Sequence, residues 1–466
     1  MTATSTITDT MLSSLNPNPE TPIELLRLGS EDYTTHRPKL LRSNNPENEH
    51  IQPAAIALPR TADEVARVVR WATSCGLQPV VRGAGNDFFS RSIADGALVI
   101  DMRHMNCIQV DEAGETVQVG GGVVAQDLVK TLAERGLMTP IGNTWILGYT
   151  GWAINGGYGP YTNLCGMGFE QIVGAQLVNA KGEVVDATEE MLEGVRGMLG
   201  HLGVVTSLTV KTYPRYDTLS GRLIFDSTDL RKTITEYLKT QPGLPVPKEL
   251  TYHHFIMFNP QMGKKVFAIV WTWAGADLEQ GKATLQAWKD KLPLLVASAV
   301  EVQSETQRQE SMPSFSGGMG SQRSAFLARQ PTGEPDDELT ALLLDGAEAM
   351  PMGYLGPGIS WSGTVAIDPA RTPANMFIGH DHSYFSCSSV VFAGNYTQEV
   401  DVWAAGLARQ VYALPRNDVL PGGFPGTTPP GEKTAAQVFG DKWPRASELK
   451  RRYDPDNVFC HAIPKM

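Results

Sequence analysis

An α+β fold in two parts is predicted by three features of this 466-residue sequence. Short apolar runs alternate with amphipathic stretches from Ala54 to Lys211, longer segments of alternating polarity follow from Leu219, and two glycine-crowded stretches interrupt the first part. At 42% hydrophobic and 19% charged residues the chain can fill a core, and its length suits two domains. Lys+Arg 39 against Asp+Glu 50 leaves a net charge of -11, which removes any general attraction to phosphate backbones or anionic lipid. The expected partner is a small-molecule substrate, with no nucleic acid and no membrane; the sequence sets no oligomeric state.

The first part opens with a strand at Ala54 to Leu58 and a helix at Ala62 to Cys75, for which Thr61 is the N-cap. Strands at Gln78 to Arg82 and Leu98 to Asp101 follow, then a pair at Cys107 to Val110 and Thr116 to Val119. A helix at Gln126 to Arg135 ends on Gly136, and strands are expected at Ile172 to Asn179 and Val204 to Lys211. In the second part Tyr252 to Phe258 and Val266 to Trp273 read as a hairpin, with further strands at Ile359 to Ile367 and Tyr384 to Phe392. Helices at Leu230 to Leu238, Leu278 to Lys291, Glu338 to Ala349 and Glu399 to Leu414 would cover one face of this antiparallel sheet. Glu310 to Asp337 and Pro415 to Thr434 are rich in Gly, Pro and Ser and read as loops able to cover a site.

Met1 to Pro22 lacks the basic start and apolar core of a secretory signal, and no run of 18 apolar residues occurs. A soluble, cytoplasmic protein is expected, with Pro464-Lys465-Met466 leaving a peroxisomal address as the alternative. Five widely spaced cysteines without a C-x-x-C pair read as buried free thiols.

The 46 glycines exceed the roughly 7% of ordinary chains, and they cluster. Arg82-Gly83-Ala84-Gly85-Asn86-Asp87 directly follows a strand; small residues there let successive N–H groups converge on an anion, or simply make a tight turn. The G-x-G-x-x-G fingerprint is not completed, so an ordinary nicotinamide site is poorly supported. Gly142 to Gly159 holds six glycines in eighteen residues, which argues against a regular helix or strand and for something that approaches the backbone closely. A third piece, Gly200-His201-Leu202-Gly203-Val204, feeds a strand.

With Lys450-Arg451-Arg452-Tyr453-Asp454-Pro455 near the C-terminus, these segments resemble the berberine bridge enzyme-like oxidoreductases of the vanillyl-alcohol oxidase type. The resemblance implies a two-subdomain FAD-binding domain at 51–215 after an N-terminal extension of 1–50, an antiparallel substrate domain at 216–437, and a return to the flavin domain at 438–466. It implies FAD with its pyrophosphate at Arg82, Gly83, Ala84, Gly85, Asn86 and Asp87, and its ring near Thr144, Gly148, Gly151, Ile154, Asn155, Gly156, Gly157, Gly203 and Val204.

The chain departs from that family at its attachment points. Asn86 stands where a histidine usually bonds the flavin, and Thr144 where a cysteine does in many members, so FAD is expected to be non-covalent. Trp152 replaces a histidine near the flavin, Phe424 aligns with an often catalytic tyrosine, and Asn155 stands for the first of three glycines. A substitute base is sought in the sheet, where His380 and His382 share one face and are the candidate catalytic residues. Trp145, His253 and Tyr384 are candidate pocket residues, and no metal is expected, because the histidines lack a carboxylate or thiolate partner. The aromatic residues Tyr252, Phe255, Phe258, Trp271, Trp273, Tyr384 and Phe385 suggest a small apolar substrate. The function expected is FAD-dependent oxidation of such a molecule in secondary-metabolite biosynthesis; the alternative is a redox-silent cyclase or isomerase that acts by holding its substrate.

Overall fold

A computed structural model describes residues 7, 9–16, 18, 20–40, 48–259, 262–311, 319–327, 337–352, 358–363, 372–377, 385–392 and 397–466. A four-stranded sheet comes first, ordered β1 (Glu24–Arg27), β2 (Ala55–Leu58), β4 (Leu98–Asp101), β3 (Pro79–Arg82), with β2, β4 and β3 parallel. β2 and β4 are buried along their whole length, as expected of parallel strands covered on both faces. Helix α1 (Ala62–Ser74) packs Val65, Val68, Val69 and Trp71 there, and the Thr61 hydroxyl accepts from the Glu64 N–H at 3.2 Å, as its N-cap role requires.

Next comes a five-stranded antiparallel sheet, β5 (Ile108–Val110), β6 (Thr116–Gly120), β10 (Val204–Lys211), β8 (Ile172–Val178) and β9 (Val184–Asp186), in that spatial order. A two-stranded ribbon, β7 (Leu137–Met138) with β11 (Tyr213–Pro214), lies beside it. Helix α2 (Ala125–Ala133) is followed by Gly136 at φ +68, the conformation that ends helices on glycine. One expectation fails here: within the glycine-rich segment, Tyr149–Ile154 forms a short helix, α3. Its residues include only one glycine, Gly151, and the other five of the segment flank the helix.

The second part is a seven-stranded antiparallel sheet ordered β15 (Leu295–Gln303), β12 (Thr218–Phe225), β14 (Lys264–Trp273), β13 (Leu250–Asn259), β17 (Gly358–Gly363), β18 (Phe385–Phe392) and β16 (Met319–Leu327). β16 lies inside the span expected to be a loop from Glu310, so that span is partly sheet. Helices α5 (Leu230–Thr240), α6 (Leu278–Lys291), α8 (Glu338–Glu348) and α9 (Gln398–Ala413) pack on one face. That face holds Leu223, Tyr252, Ile256, Phe267, Trp271, Trp273 and Trp361. Side chains alternate along a strand, so Thr218, Ser220, Thr251, His253, Phe255 and Thr272 point to the other side. The aromatic argument for an apolar substrate is thereby corrected. Tyr252, Trp271 and Trp273 are core filler beneath helices, and the open face is rich in hydroxyls.

The open face meets the first part of the chain. Short helix α4 (Thr162–Cys165) packs on β13, where Asn163 donates to the Leu250 carbonyl at 2.6 Å, and α7 (Glu305–Ser311) lies between α2 and strands β12 and β15. The last helix, α10 (Trp443–Tyr453), returns to the first part through Ala446 and Leu449, which pack with Met198 and Leu202. Cys75, Cys107, Cys165 and Cys460 are free; Cys107 is exposed and the others half-buried, so the expectation of buried thiols does not hold for them. No helix among the described residues is long and apolar enough to cross a membrane.

Candidate functional site

β3 ends at Arg82, 5% exposed, and its side chain turns back on the chain. The guanidinium donates to the Asp101 carboxylate at 3.2 Å and to the carbonyls of Leu40, Gly83 and Ala84, each at 3.1 Å. The cation expected to face a pyrophosphate instead braces its own loop. Gly85 has φ +71, and a Cβ there would stand 2.5 Å from the Leu40 carbonyl, so only glycine suits this bend. Asp87 pairs with Arg91 at 2.5 Å, and Arg91 continues to the carbonyls of Pro425 at 3.0 Å and Thr428 at 3.1 Å.

The second glycine-rich segment faces the first. Asn86 donates its side-chain amide to the Ile146 carbonyl, and a Cβ on Gly148 would stand 3.1 Å from both the nitrogen and the Cβ of Ala84. Thr144 and Trp145 are half-buried next to that contact, and the Trp145 carbonyl accepts from the Gln126 N–H at 2.9 Å. Gly151 is exposed, with no atom within 4 Å of where a Cβ would be. Gly156, at φ +95, lies under the rings of Phe377 and Phe424, which would be 2.6 and 3.0 Å from a Cβ. Phe424 meets Tyr158 edge-on at 5.6 Å and Phe377 at 5.8 Å. Asn155 lies against Gly426 of the same loop.

Trp152 fills a socket built by glycines. Its indole would be 2.7 Å from a Cβ on Gly168, 3.0 Å from one on Gly157 and 3.1 Å from one on Gly142, and its Nε1 donates to the Tyr158 carbonyl at 3.1 Å. Gly203 and Val204 serve the β8–β10 contact: a Cβ on Gly203 would stand 2.5 Å from the Val178 carbonyl, and Val204 pairs with Val178 in an apolar cluster. Ile154 lines a small cleft with Leu177, Met198, His201, Gly203 and Val205.

Four polar side-chain atoms on these segments, Asn86 Oδ1, Ser90 Oγ, Thr150 Oγ1 and Asn155 Oδ1, are buried without a hydrogen-bond partner among the described residues. Buried polar atoms in folded proteins are nearly always paired. Four orphans along two facing glycine segments are what a polar ligand lying between them would complete, so the residues present fit a large hydrogen-bonding cofactor. Sequence reasoning missed Ser90 and Thr150. For Ser90 the backbone gives the sign, a φ of 54 in a residue other than glycine.

A second polar cluster joins the loop to the sheet. The Tyr161 hydroxyl donates to Glu305 at 2.6 Å, Arg308 grips the same carboxylate through two bonds of 2.9 and 2.5 Å, and Gln309 adds a third donor at 3.0 Å. All four side chains are buried. Burial opposes the Arg308 charge, but Glu305 outweighs it and raises the pKa; burial, then Glu305, lifts the Tyr161 phenol well above its usual range. The acid–base pair three residues apart in Glu305-Thr306-Gln307-Arg308 was the available sequence signal. Of the histidines expected to matter, His253 lies on the open face, while His254 faces the core, bonded to Tyr237 at 2.6 Å and to the Trp361 carbonyl at 3.0 Å. His380, His382 and Tyr384 lie outside the described residues.

Comparison with known proteins now decides what the glycine segments are. Residues 53–188, which contain both, match the family described as FAD binding domain. This segment is similar to FAD-binding domains. Over 172 residues the chain is 39% identical to (R)-6-hydroxynicotine oxidase of Paenarthrobacter nicotinovorans, a match that spans 36% of this chain and only 38% of that protein. It is 27% identical to the FAD-linked oxidoreductase aurO of Gibberella zeae over 88% of this chain and 79% of that one. A variant of BBE-like 1 from Physcomitrella patens superposes with a TM-score of 0.79 at 20% identity, over 96% of this chain and 97% of that chain. The first part and the antiparallel sheet thus share one fold with that protein, and the expected resemblance and fold class are borne out. The likenesses support an FAD-linked oxidoreductase.

Proposed function

We propose that this protein is an FAD-linked oxidoreductase that holds its flavin without a covalent bond and oxidises a small organic molecule, in secondary-metabolite biosynthesis. The observation that carries the proposal is the set of four orphaned polar atoms on the facing glycine segments of the FAD-binding domain. The Asn86 amide and Thr144 hydroxyl stand at the family's attachment points, and neither forms the flavin bond of a histidine or cysteine. Asn86, Ser90, Thr150 and Asn155 would hold the cofactor through hydrogen bonds, with Gly148, Gly151, Gly156 and Gly157 giving it room. Arg82 and Gly85 shape the pyrophosphate loop, and Gly203 and Val204 secure the neighbouring strand. FAD, when bound, supplies a two-electron acceptor for a hydride. We assign residues 51–215 to the flavin part, 216–437 to the substrate part and 438–466 to the returning segment, in line with the distribution of the three main sheets.

The visible spectrum tests this. Purified protein is expected to be yellow and, after acid precipitation, to leave its flavin in the supernatant; a yellow pellet would refute the non-covalent assignment. Anaerobic bleaching of the flavin by a member of a panel of alcohols, aldoses and cyclic amines identifies the substrate class. The alternative, a redox-silent cyclase or isomerase, gains support from Phe424, which stands over Gly156 with no titratable group. It predicts turnover with an unchanged flavin spectrum.

A further inference from the structure

His253 occupies β13, the central strand of the seven-stranded sheet, on the face turned toward the FAD-binding domain. The residue is half-buried, and its Nε2 is shielded with no hydrogen-bond partner among the described residues. Thr251 Oγ1, next along the same face, is orphaned in the same way. A buried unpaired polar atom costs free energy, typically about 1–3 kcal/mol, and on this face, unlike the helix-packed one, a ligand's polar groups would relieve it.

The groups that act on this ring come from the bridge between the two parts. Arg308 of α7 bears on His253 electrostatically, Glu305 holds Arg308 through two bonds, and Tyr161 of the FAD-binding part anchors Glu305. Arg222, two strands away on the same face, is exposed, and His254 lies behind the sheet. Glu305 already accepts four hydrogen bonds, and Tyr161 spends its hydroxyl on Glu305. Phe377 and Phe424, which close over Gly156, carry no titratable group.

We propose that His253 accepts the proton released by the substrate during oxidation. The proposal rests on the oxidoreductase reading above. For a substrate H–C–X–H, with X oxygen or nitrogen, the X–H bond breaks and its proton passes to the imidazole lone pair. The C–H bond breaks with its electron pair, for which FAD would supply the two-electron acceptor, a C=X bond forms, and the imidazolium returns its proton to water. Burial, then Arg308, pulls the His253 pKa down to about 4, so the ring is a neutral acceptor through the whole ordinary pH range.

The experiment uses the flavin-loaded full chain and the panel member that bleaches it fastest. His253→Gln is expected to lower the anaerobic bleaching rate at pH 7 by roughly 10²–10⁴-fold with flavin content unchanged. The wild-type rate should fall only as pH drops through about 4. Arg308→Gln, or Arg308→Met should the former fail to fold, removes the cation and is expected to move that limb upward toward 6.5. A His253→Gln enzyme as fast as wild type overturns the proposal and leaves the oxidoreductase reading intact. If no panel member bleaches the wild type, that reading fails, and NMR titration of the histidines still tests the surroundings assigned to His253. A His253 midpoint near 4 that rises in Arg308→Gln supports them; a midpoint that does not move overturns them.

Discussion

Asn86 and Ile146 are joined by a hydrogen bond from side-chain amide to backbone carbonyl, and through it the two glycine-rich segments of the FAD-binding domain are held face to face. The same Asn86 keeps its Oδ1 free of any partner among the described residues. One side chain thus both sets the gap and offers an acceptor to what enters it.

Replacing Asn86 with alanine removes both functions. A single net hydrogen bond contributes about 1 kcal/mol, so Asn86→Ala is expected to bind FAD about fivefold more weakly, as read by flavin fluorescence in titration of the apoprotein. Unchanged affinity would show that the amide has no part in holding the cofactor.

Trp152→Ala empties the socket between Gly142, Gly157 and Gly168. Large-to-small changes of this kind destabilise by about 3–5 kcal/mol, and the loss should appear in the denaturant midpoint. Gly168→Ala tests the same packing from the other side, because its new methyl would stand 2.7 Å from the indole; overpacking costs about 1–3 kcal/mol.

Lys450 and Asp454 form a buried pair at 2.5 Å, with 7% and 2% exposure, and Asp454 also accepts the N–H groups of Val458 and Phe459. Removing one partner of such a pair leaves an uncompensated charge, at a cost of about 3–5 kcal/mol. Lys450→Met is therefore expected to lower the melting temperature more than the double replacement Lys450→Met with Asp454→Asn.

His201 is 1% exposed, and burial, then Lys450, pulls its pKa down to about 3. The unfolded chain takes up this proton near pH 6.5 while the folded chain does not, so the stability present above 6.5 is lost as pH falls toward 3. Each such ring contributes a slope of about 1.4 kcal/mol per pH unit within that window. Urea unfolding at pH 7 and pH 5 should show a smaller difference for His201→Gln than for wild type; an equal difference would remove His201 from the account.

The sequence carried most of the fold because period and punctuation survive folding unchanged. Strands at Leu98–Asp101 and Val204–Lys211, the helix Leu278–Lys291 and the Thr61 cap fall where alternation, amphipathicity and capping chemistry placed them. β16 was hidden because its segment Met319–Leu327 carries Gly, Ser, Gln and Arg and little alternation, and pairing with β18 supplies the order that its composition does not announce. At the site, the glycine segments were legible as places of close backbone approach. The direction of each side chain was not: Arg82 turning inward onto Asp101, or Trp271 facing the helices, depends on which face the sheet buries. The bridge of Tyr161 to Glu305 spans 144 residues and leaves no local pattern.

The contact of Arg91 with the Pro425 carbonyl joins residues 334 positions apart. During synthesis at about 5–20 residues per second, the first of these leaves the ribosome on the order of half a minute before the second exists. The nascent FAD-binding domain therefore passes through an interval in which its glycine segments are complete but their cover has not been made. Until then Arg91 holds Asp87 without those carbonyls, and Gly156 lies without the rings of Phe377 and Phe424 that later close over it.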